Sequence, residues 1–183
     1  MATYDLEQQE QLDQVKHFWK QYGNLITWLV LLVLSGFAAW NGYNWWQTQQ
    51  ATKAAGLYEE LDKAAVAGDA KKVAQSFADL SKDYGRTTFA QQAALVAAKV
   101  ASDKQDADQA KVALNWLVEH GKNADLVAVG RLRLSGMQMD AKQYDEAAKT
   151  LSAPIPEEFM GLVNDRRGDI LMEATIRRKR SLS

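Results

Sequence analysis

The residue types that most often carry chemistry are few in this chain and poorly placed for it. The sequence has no cysteine and only two histidines, His17 and His120, which excludes a thiolate site and a multi-histidine metal centre. The acidic pairs Glu59-Glu60 and Glu157-Glu158 are adjacent in sequence, so their carboxylates point to different faces of a helix and form no acid–base dyad. No glycine-rich phosphate loop and no Gly-x-Ser-x-Gly elbow is present. We therefore predict no catalytic residue, no cofactor, no metal ligand and no enzymatic activity.

The composition limits the class of protein further. Of the 183 residues, 25% are charged and 47% are hydrophobic, and the net charge is -1. These values exclude a disordered chain and a generally basic protein that binds nucleic acid. Only two prolines occur, Pro154 and Pro156, and alanine is abundant, which favours helices along most of the chain.

A long uncharged stretch predicts a membrane anchor. No Asp, Glu, Lys or Arg occurs from Gln21 to Thr52, and residues 25–46 read LITWLVLLVLSGFAAWNGYNWW. A helix of that length spans about 33 Å, which matches a hydrocarbon core of about 30 Å, and aromatic residues flank both ends. We predict a transmembrane helix at residues 23–48 that contacts membrane lipid. The alternatives are a buried helix of a soluble core and a cleaved signal peptide, although the acidic residues before the span do not fit a signal peptide.

The charges around the span favour one orientation. Lys16 and Lys20 precede it and Lys53 alone follows closely, which favours a cytoplasmic N-terminus and a single-pass type II protein. Residues 1–22, with an apolar pattern that includes Leu12 and Trp19, are predicted to form a cytoplasmic amphipathic segment that lies on the membrane or docks a cytoplasmic protein. Within the span, small residues four apart, Ser35 and Ala39 among them, are candidates for contact with another helix.

The region after the span has helical periodicity throughout. Apolar stripes predict seven helices near residues 57–65, 73–84, 89–100, 110–118, 126–137, 144–151 and 159–171. Asp69 and either Thr87 or Thr88 are predicted helix N-caps. Ala74, Ala110 and Ala147 follow similar polar turns at intervals of 36 and 37 residues, close to the period of tetratricopeptide repeats. We therefore predict an all-α protein with a single N-terminal transmembrane helix followed by a tetratricopeptide-like helical-repeat solenoid at residues 49–174; an ordinary antiparallel bundle is the alternative.

Stacked helix pairs place the first helix of each pair on a concave face. The polar residues predicted there are candidates for binding a protein partner, and they form no enclosed pocket for a small-molecule substrate: Gln91, Gln92, Lys99, Arg131, Arg133 and Gln138. Four arginines (Arg131, Arg133, Arg166, Arg167) suit an acidic partner, although a solvated or salt-bridged face is the commoner role for such residues. The residues that we predict to contact a partner are Ser35, Ala39, Gln91, Lys99, Arg131 and Arg133.

The chain resembles the YfgM-type family of ancillary SecYEG translocon subunits. The resemblance rests on YDLEQQEQLD at residues 4–13, FWKQYGN at 18–24, AGLYEEL at 55–61 and NDRRGD at 164–169. It implies an inner-membrane protein whose periplasmic tetratricopeptide-like domain links the SecYEG translocon to periplasmic chaperones, with the membrane-anchored isomerase-like chaperone PpiD as the main implied partner. A membrane-tethered scaffold for another envelope process, such as cell division or cell-wall synthesis, would have similar repeats and is the alternative function.

The end of the chain departs from the family pattern. Family members continue beyond the Arg-Arg-Gly-Asp region into another helix pair, whereas residues 175–183 form a basic tail, TIRRKRSLS. We interpret this tail as a truncation or a frameshift. If the last helix lacks a covering partner, its apolar residues are expected to be exposed: Leu162, Val163, Ile170 and Leu171.

Overall fold

The computed structural model describes the backbone of residues 3–181, and this part of the chain contains helices and no strand. The helices are α1 (Thr3–Val66), α2 (Ala70–Asp83), α3 (Thr88–Asp103), α4 (Ala107–His120), α5 (Ala124–Asp140), α6 (Tyr144–Thr150), a 3-10 turn (Glu157–Phe159) and α7 (Met160–Ser181). The all-α prediction is confirmed, and the helices predicted from residue 73 onward lie close to their expected positions. The predicted N-terminal segment, the span and the helix near residues 57–65 instead belong to one continuous helix, α1. Residues 175–181 of the predicted basic tail continue α7. Residues 1–2 and 182–183, and the side chains of residues 3–15, 17, 18, 178, 180 and 181, lie outside the described residues.

The chain divides into two compact units, Met1–Thr48 and Gln49–Ser183. In the first unit every side chain from Leu25 to Trp46 is exposed except that of Ile26, which is half-buried. The most apolar part of this helix has a mean hydropathy of 1.7 and is only 6% buried, so it is not the core of a soluble domain. This is the one helix, among the described residues, that is long and apolar enough to cross a membrane.

Polar side chains in this apolar stretch form hydrogen bonds within the helix. The hydroxyl groups of Thr27 and Ser35 donate to the carbonyl oxygens of Gly23 and Leu31, both at 2.7 Å, and the Asn41 amide donates to the Phe37 carbonyl at 3.0 Å. Because such bonds satisfy the side-chain donors, the polar groups are compatible with a hydrocarbon environment.

The second unit consists of helix pairs with a repeat of 37 residues. The turn inside each pair has a residue with positive φ, at Gly68 (70°), Gln105 (61°) and Lys142 (59°). In all three turns the backbone N–H of the residue that follows donates a hydrogen bond to the carbonyl oxygen five residues earlier, at 2.8–2.9 Å. Asp69 and Asp106 then cap α2 and α4 through their carboxylates, as predicted for Asp69, and Thr87 caps α3.

The 37-residue repeat corrects the predicted equivalence of three alanines. Counting from the three turns, the position that matches Ala110 and Ala147 is Val73, and not Ala74. The backbone N–H of each of these three residues bonds the carbonyl of the helix N-cap residue, and each side chain is at most 1% exposed. Ala74, one residue later, is half-buried. The buried position at the start of the second helix is therefore a valine in the first repeat and an alanine in the other two.

Two hydrophobic clusters hold the second unit together. The larger joins the end of α1 to α2, α3, α4 and α5, and the smaller joins α6 to α7 through Ala147, Leu151, Val163 and Ile170. The expectation that all four apolar residues of the last helix are exposed is therefore wrong for two of them. Val163 and Ile170 are buried at 0% and 2% exposure, because they face α6, whereas Leu162 and Leu171 lie off that contact and are exposed.

Tyr58 connects α1 with α3 in the larger cluster. Its ring lies 5.7 Å from that of Phe89, centroid to centroid. Burial, and secondarily the negative charge of Asp62, raises the pKa of the Tyr58 phenol above its ordinary value. The neutral phenol is thus favoured by folding, and this contribution to stability is present below about pH 10 and is lost as the pH rises through the raised pKa.

Candidate partner-binding groove

A groove between the first helices of three successive helix pairs is the best candidate site for a protein partner. It has a volume of about 570 Å³ and is formed by α3, α5 and α7, with one residue each from α4 and the 3-10 turn. We call it the α3–α5–α7 groove. Its apolar lining includes Leu132, Met137, Phe159 and Leu162, and its charged lining comprises Lys99, Asp103, Arg133, Asp140 and Arg166. An apolar floor with charged groups at its margin suits a segment of another protein.

Lys99 and Arg133, two of the predicted partner-contact residues, both line this groove. Lys99 Nζ forms an ion pair with Asp103 Oδ2 at 2.9 Å, but both side chains are more than 60% exposed, so the pair contributes little to stability. Arg133 Nη1 donates to the carbonyl of Leu95 at 3.3 Å, which directs the guanidinium from α5 towards α3. The other N–H groups of the Arg133 guanidinium remain available to bind a carboxylate.

Arg166 joins these two cations, and the sequence pattern alone did not place it there. Its Nη1 atom lies 4.0 Å from Met139 Sδ and 3.6 Å from where a Cβ on Gly136 would stand. Gly136 therefore leaves room for the guanidinium beside α5. The signal in the sequence was a glycine inside a helix without a turn or a cap to explain it.

The structure places the Gln91 side chain away from the surface predicted to bind a partner. Its side chain is 2% exposed, and its Oε1 accepts hydrogen bonds from the backbone N–H groups of Lys122 and Asn123, both at 2.9 Å. The amide thus fastens the turn between α4 and α5 to α3. A residue buried in this way does not face a partner.

Arg131 also belongs to the packing rather than to the groove. Its Nη1 donates to the Thr150 carbonyl at 3.0 Å, and Arg167 donates to the next carbonyl, that of Leu151. Two guanidinium groups therefore bind the carboxyl end of α6, where a positive charge complements the helix dipole. Gln138, which was expected on the same face as Arg131, accepts a hydrogen bond from the Thr150 hydroxyl at 2.8 Å.

None of the four arginines forms an ion pair with a carboxylate within the described part of the chain. The salt-bridged role considered for them is therefore not what the structure has. Arg131 and Arg167 bind carbonyl groups at the end of α6, and Arg133 and Arg166 lie in the groove.

Ser35 and Ala39 lie in the first unit, on the exposed surface of α1. The Ser35 hydroxyl is used in its bond to Leu31, and the Cβ positions of Gly36 and Gly42 have no atom within 4 Å. This part of the helix thus presents a shallow surface that allows another helix to approach closely. In the part of the chain that the structure describes, no group of three His, Cys, Asp or Glu side chains is arranged to hold a metal ion.

Comparison with known proteins places the chain in a family. A family model described as a tetratricopeptide repeat-like domain matches residues 16–179. The chain is 30% identical to the ancillary SecYEG translocon subunit of Neisseria gonorrhoeae over 174 residues, which cover 93% of this chain and 81% of that protein. It is 29% identical to the protein of the same name from Escherichia coli, with 94% and 82% covered, and 28% identical to that from Haemophilus influenzae, with 92% and 82% covered.

No solved structure gives a significant match to the chain. The matched residues nevertheless include both the apolar span and the helical repeats, so the similarity extends over both units of the molecule. The chain belongs to the tetratricopeptide repeat-like family and to the family of the ancillary SecYEG translocon subunits.

Proposed function

We propose that this protein is a non-catalytic accessory subunit of the SecYEG translocon in the bacterial inner membrane. Four relatives that are 27–30% identical to it carry that name, and each is covered to at least 81% of its length. In this proposal the N-terminal segment is cytoplasmic, the span of residues 23–48 lies in lipid, and the helical repeats lie in the periplasm. The lysines that precede the span, Lys16 and Lys20, support that orientation.

The helical repeats bind a periplasmic chaperone in this proposal, and a PpiD-like protein is the expected partner. The observation that carries this step is the α3–α5–α7 groove, where Arg133 and Arg166 have no carboxylate partner beside an apolar floor. A chaperone segment with apolar and acidic side chains matches both features. The span supplies the second contact, with translocon helices at Ser35 and Ala39, and the two contacts together concentrate the chaperone at the translocon.

Site-specific photo-crosslinking in growing cells tests the proposal. A crosslinking residue at Ser102, which lines the groove, should capture a periplasmic chaperone, and one at Ser35 should capture a translocon subunit. The matched controls are Gln75, exposed on α2 outside the groove, and Phe37, exposed on the opposite side of the anchor. Both control positions should give much weaker products.

Charge reversal separates the two contacts. Arg133→Glu together with Arg166→Glu should weaken chaperone capture about tenfold, because like charges then meet at the groove, and should leave the Ser35 product unchanged. Arg86→Glu, an exposed position between α2 and α3 and outside the groove, is the control. If Ser35 captures no Sec component and Ser102 captures no chaperone, the adaptor proposal fails and a scaffold for another envelope process replaces it.

A further inference from the structure

A second groove of the helical repeats lies between α2, α3 and α4 and shares no residue with the α3–α5–α7 groove. We call it the α2–α4 groove. Its volume of about 340 Å³ falls within the range of about 300–1,000 Å³ that is usual for small-molecule sites. Its apolar lining consists of one phenylalanine and five alanines: Phe77, Ala70, Ala74, Ala97, Ala101 and Ala113.

The groove is open because alanines stand where the next repeat has larger side chains. Counting forward 37 residues, Ala101 and Ala113 correspond to Gln138 and Thr150. In that repeat the Thr150 hydroxyl donates to Gln138 Oε1 at 2.8 Å, so the two side chains bridge the space between α5 and α6. The methyl groups of Ala101 and Ala113 are too short to bridge α3 and α4 in this way. The first repeat therefore keeps a space that the second repeat fills.

The apolar part of the groove suits a hydrocarbon tail better than a peptide. The Phe77 ring is held in place by Trp116, edge to face with centroids 5.6 Å apart. The walls here are the interiors of three α-helices, whose backbone groups are bonded within each helix, so an extended peptide would leave its own N–H and C=O groups unpaired. One turn of a helix about 10 Å wide fills about 420 Å³, which is more than the whole groove.

The charged lining lies at one end of the groove. Lys71 is in the first turn of α2, Lys104 follows the last residue of α3, and Asp106 is the N-cap of α4. These positions meet because α3 runs antiparallel to α2 and α4, to which short turns connect it. Phe77 lies six residues, or about 9 Å, further along α2. The groove therefore has a charged end and an apolar end.

The carboxylates near the charged end are used to cap helices. Asp106, the one carboxylate among the described residues that line the groove, accepts a hydrogen bond from the Gln109 N–H at 3.0 Å. Asp69, just outside the lining, accepts one from the Lys72 N–H at 3.0 Å. Each carboxylate thus has a fixed role at the start of a helix.

The two lysines of the lining are available to an anion. Lys104 Nζ lies 3.9 Å from where a Cβ on Gly68 would stand, so the ammonium group reaches from the end of α3 towards the start of α2, which carries Lys71. Among the described residues neither lysine forms an ion pair. With Asp106 counted, the lining has a net charge of +1, which matches a ligand with one carboxylate.

We propose that the α2–α4 groove binds a medium-chain fatty acid. The carboxylate lies between Lys71 and Lys104, and the tail follows the alanines as far as Phe77. Three bonds of an extended chain span about 3.6 Å, so the 9 Å of apolar groove takes a tail of about seven carbon–carbon bonds, the length of octanoate. This site uses no residue of the α3–α5–α7 groove and is independent of the proposed chaperone contact.

Alanine-methyl NMR of the full-length protein in phosphatidylcholine nanodiscs tests the site with octanoate as the probe. Nanodiscs replace detergent here, because a detergent tail would compete for the groove. The methyl signals of Ala74, Ala97, Ala101 and Ala113 should shift saturably with octanoate, and that of Ala78, exposed on α2 outside the groove, should not. Octanol has the same tail without the charge, and its dissociation constant should be at least tenfold larger.

Filling the groove should remove the site. Ala101→Gln together with Ala113→Thr introduces the pair that the next repeat has at these positions, and should abolish the saturable shifts of Ala74 and Ala97. Circular dichroism should show that this variant stays helical.

Removing the charges tests the carboxylate contact without changing the space. Lys71→Gln together with Lys104→Gln should raise the dissociation constant of octanoate at least tenfold and leave that of octanol unchanged. Lys82→Gln, at an exposed lysine of α2 outside the groove, is the control and should change neither.

Three results would overturn the proposal. The first is that octanoate does not shift the groove methyl signals, and the second is that octanol binds as tightly as octanoate. The third is that a short peptide with leucine beside glutamate shifts the same signals at lower concentration than octanoate, which would assign the groove to a protein segment.

Discussion

Gln91 occupies a position that alanine holds in the neighbouring repeats. The residues 37 before and 37 after it are Ala54 and Ala128, which are 0% and 1% exposed. In the middle repeat the amide fills this buried position and accepts two backbone N–H groups from the turn after α4. A polar residue inside an alanine-rich contact is thus explained by the hydrogen bonds that it satisfies.

Replacing the Gln91 amide should destabilise the protein without changing the residues that line the α3–α5–α7 groove. Gln91→Met keeps the approximate volume and removes the acceptor, so the N–H groups of Lys122 and Asn123 lose their partner. We expect the free energy of unfolding to fall by about 1–3 kcal/mol. Thermal unfolding followed by circular dichroism in mild detergent measures the change, with Gln75→Met at an exposed position of α2 as the control. An equal effect of the two substitutions would contradict the structural role of Gln91.

At the scale of the elements, the turn inside each helix pair is the feature that repeats most closely. Gly68, Gln105 and Lys142 all have φ near 60–70°, a left-handed conformation that glycine adopts without strain and other residues disfavour. Only the first of the three turns has the residue best suited to this backbone. The other two turns are held by the hydrogen bonds around them, from Lys104 and Gln105 to α3 and from Ala141 and Lys142 to α5.

Glycine should therefore stabilise one of these turns and destabilise a helix. We expect Gln105→Gly to raise the free energy of unfolding by about 1 kcal/mol, since it relieves the left-handed strain. The same change in the right-handed interior of α2, Gln75→Gly, should lower it by about 1 kcal/mol. Chemical denaturation of both variants gives the comparison, and a loss of stability in Gln105→Gly would show that the turn is not strained.

At the scale of the whole molecule, the two units have different requirements of their surroundings. The first unit exposes apolar side chains along the stretch from Leu25 to Trp46, whereas the second buries its apolar residues in two clusters and exposes charged ones. Lipid is the surrounding that suits the first surface, and water is the one that suits the second. The exposed apolar stretch of α1 therefore fits a membrane anchor.

The side of the membrane on which each unit lies is open to a direct test. Because Lys16 and Lys20 precede the span, external protease on spheroplasts should digest the region after Lys53 and spare a tag at the N-terminus. Lysis with detergent should make the tag accessible and serves as the control. Protection of the helical repeats in intact spheroplasts would contradict the type II orientation and the proposed periplasmic partner together.

The sequence by itself predicted the helices of the repeats, the caps at Asp69 and at Thr87 or Thr88, and a stretch that is long and apolar enough to cross a membrane. These features depend on local causes: the period of apolar residues, an acceptor such as Asp69 or Thr87 before a helix, and an uncharged run long enough to cross a bilayer. The motifs around the span and near Arg166 likewise indicated the family to which the whole chain was then found to belong. Each of these signals lies within a few tens of residues.

Only the tertiary structure decided what each side chain faces. The helical period places Gln91, Lys99, Arg131 and Arg133 on first helices, but it does not tell which neighbour covers each of them. The covering residues come from elsewhere in the chain: the turn at Lys122 for Gln91 and the end of α6 for Arg131. Arg166 reaches the groove for the same reason, because the packing of α7 against the earlier helices places it in the same groove as Arg133. Contacts between residues distant in sequence depend on the packing of whole helices, which local periodicity does not encode.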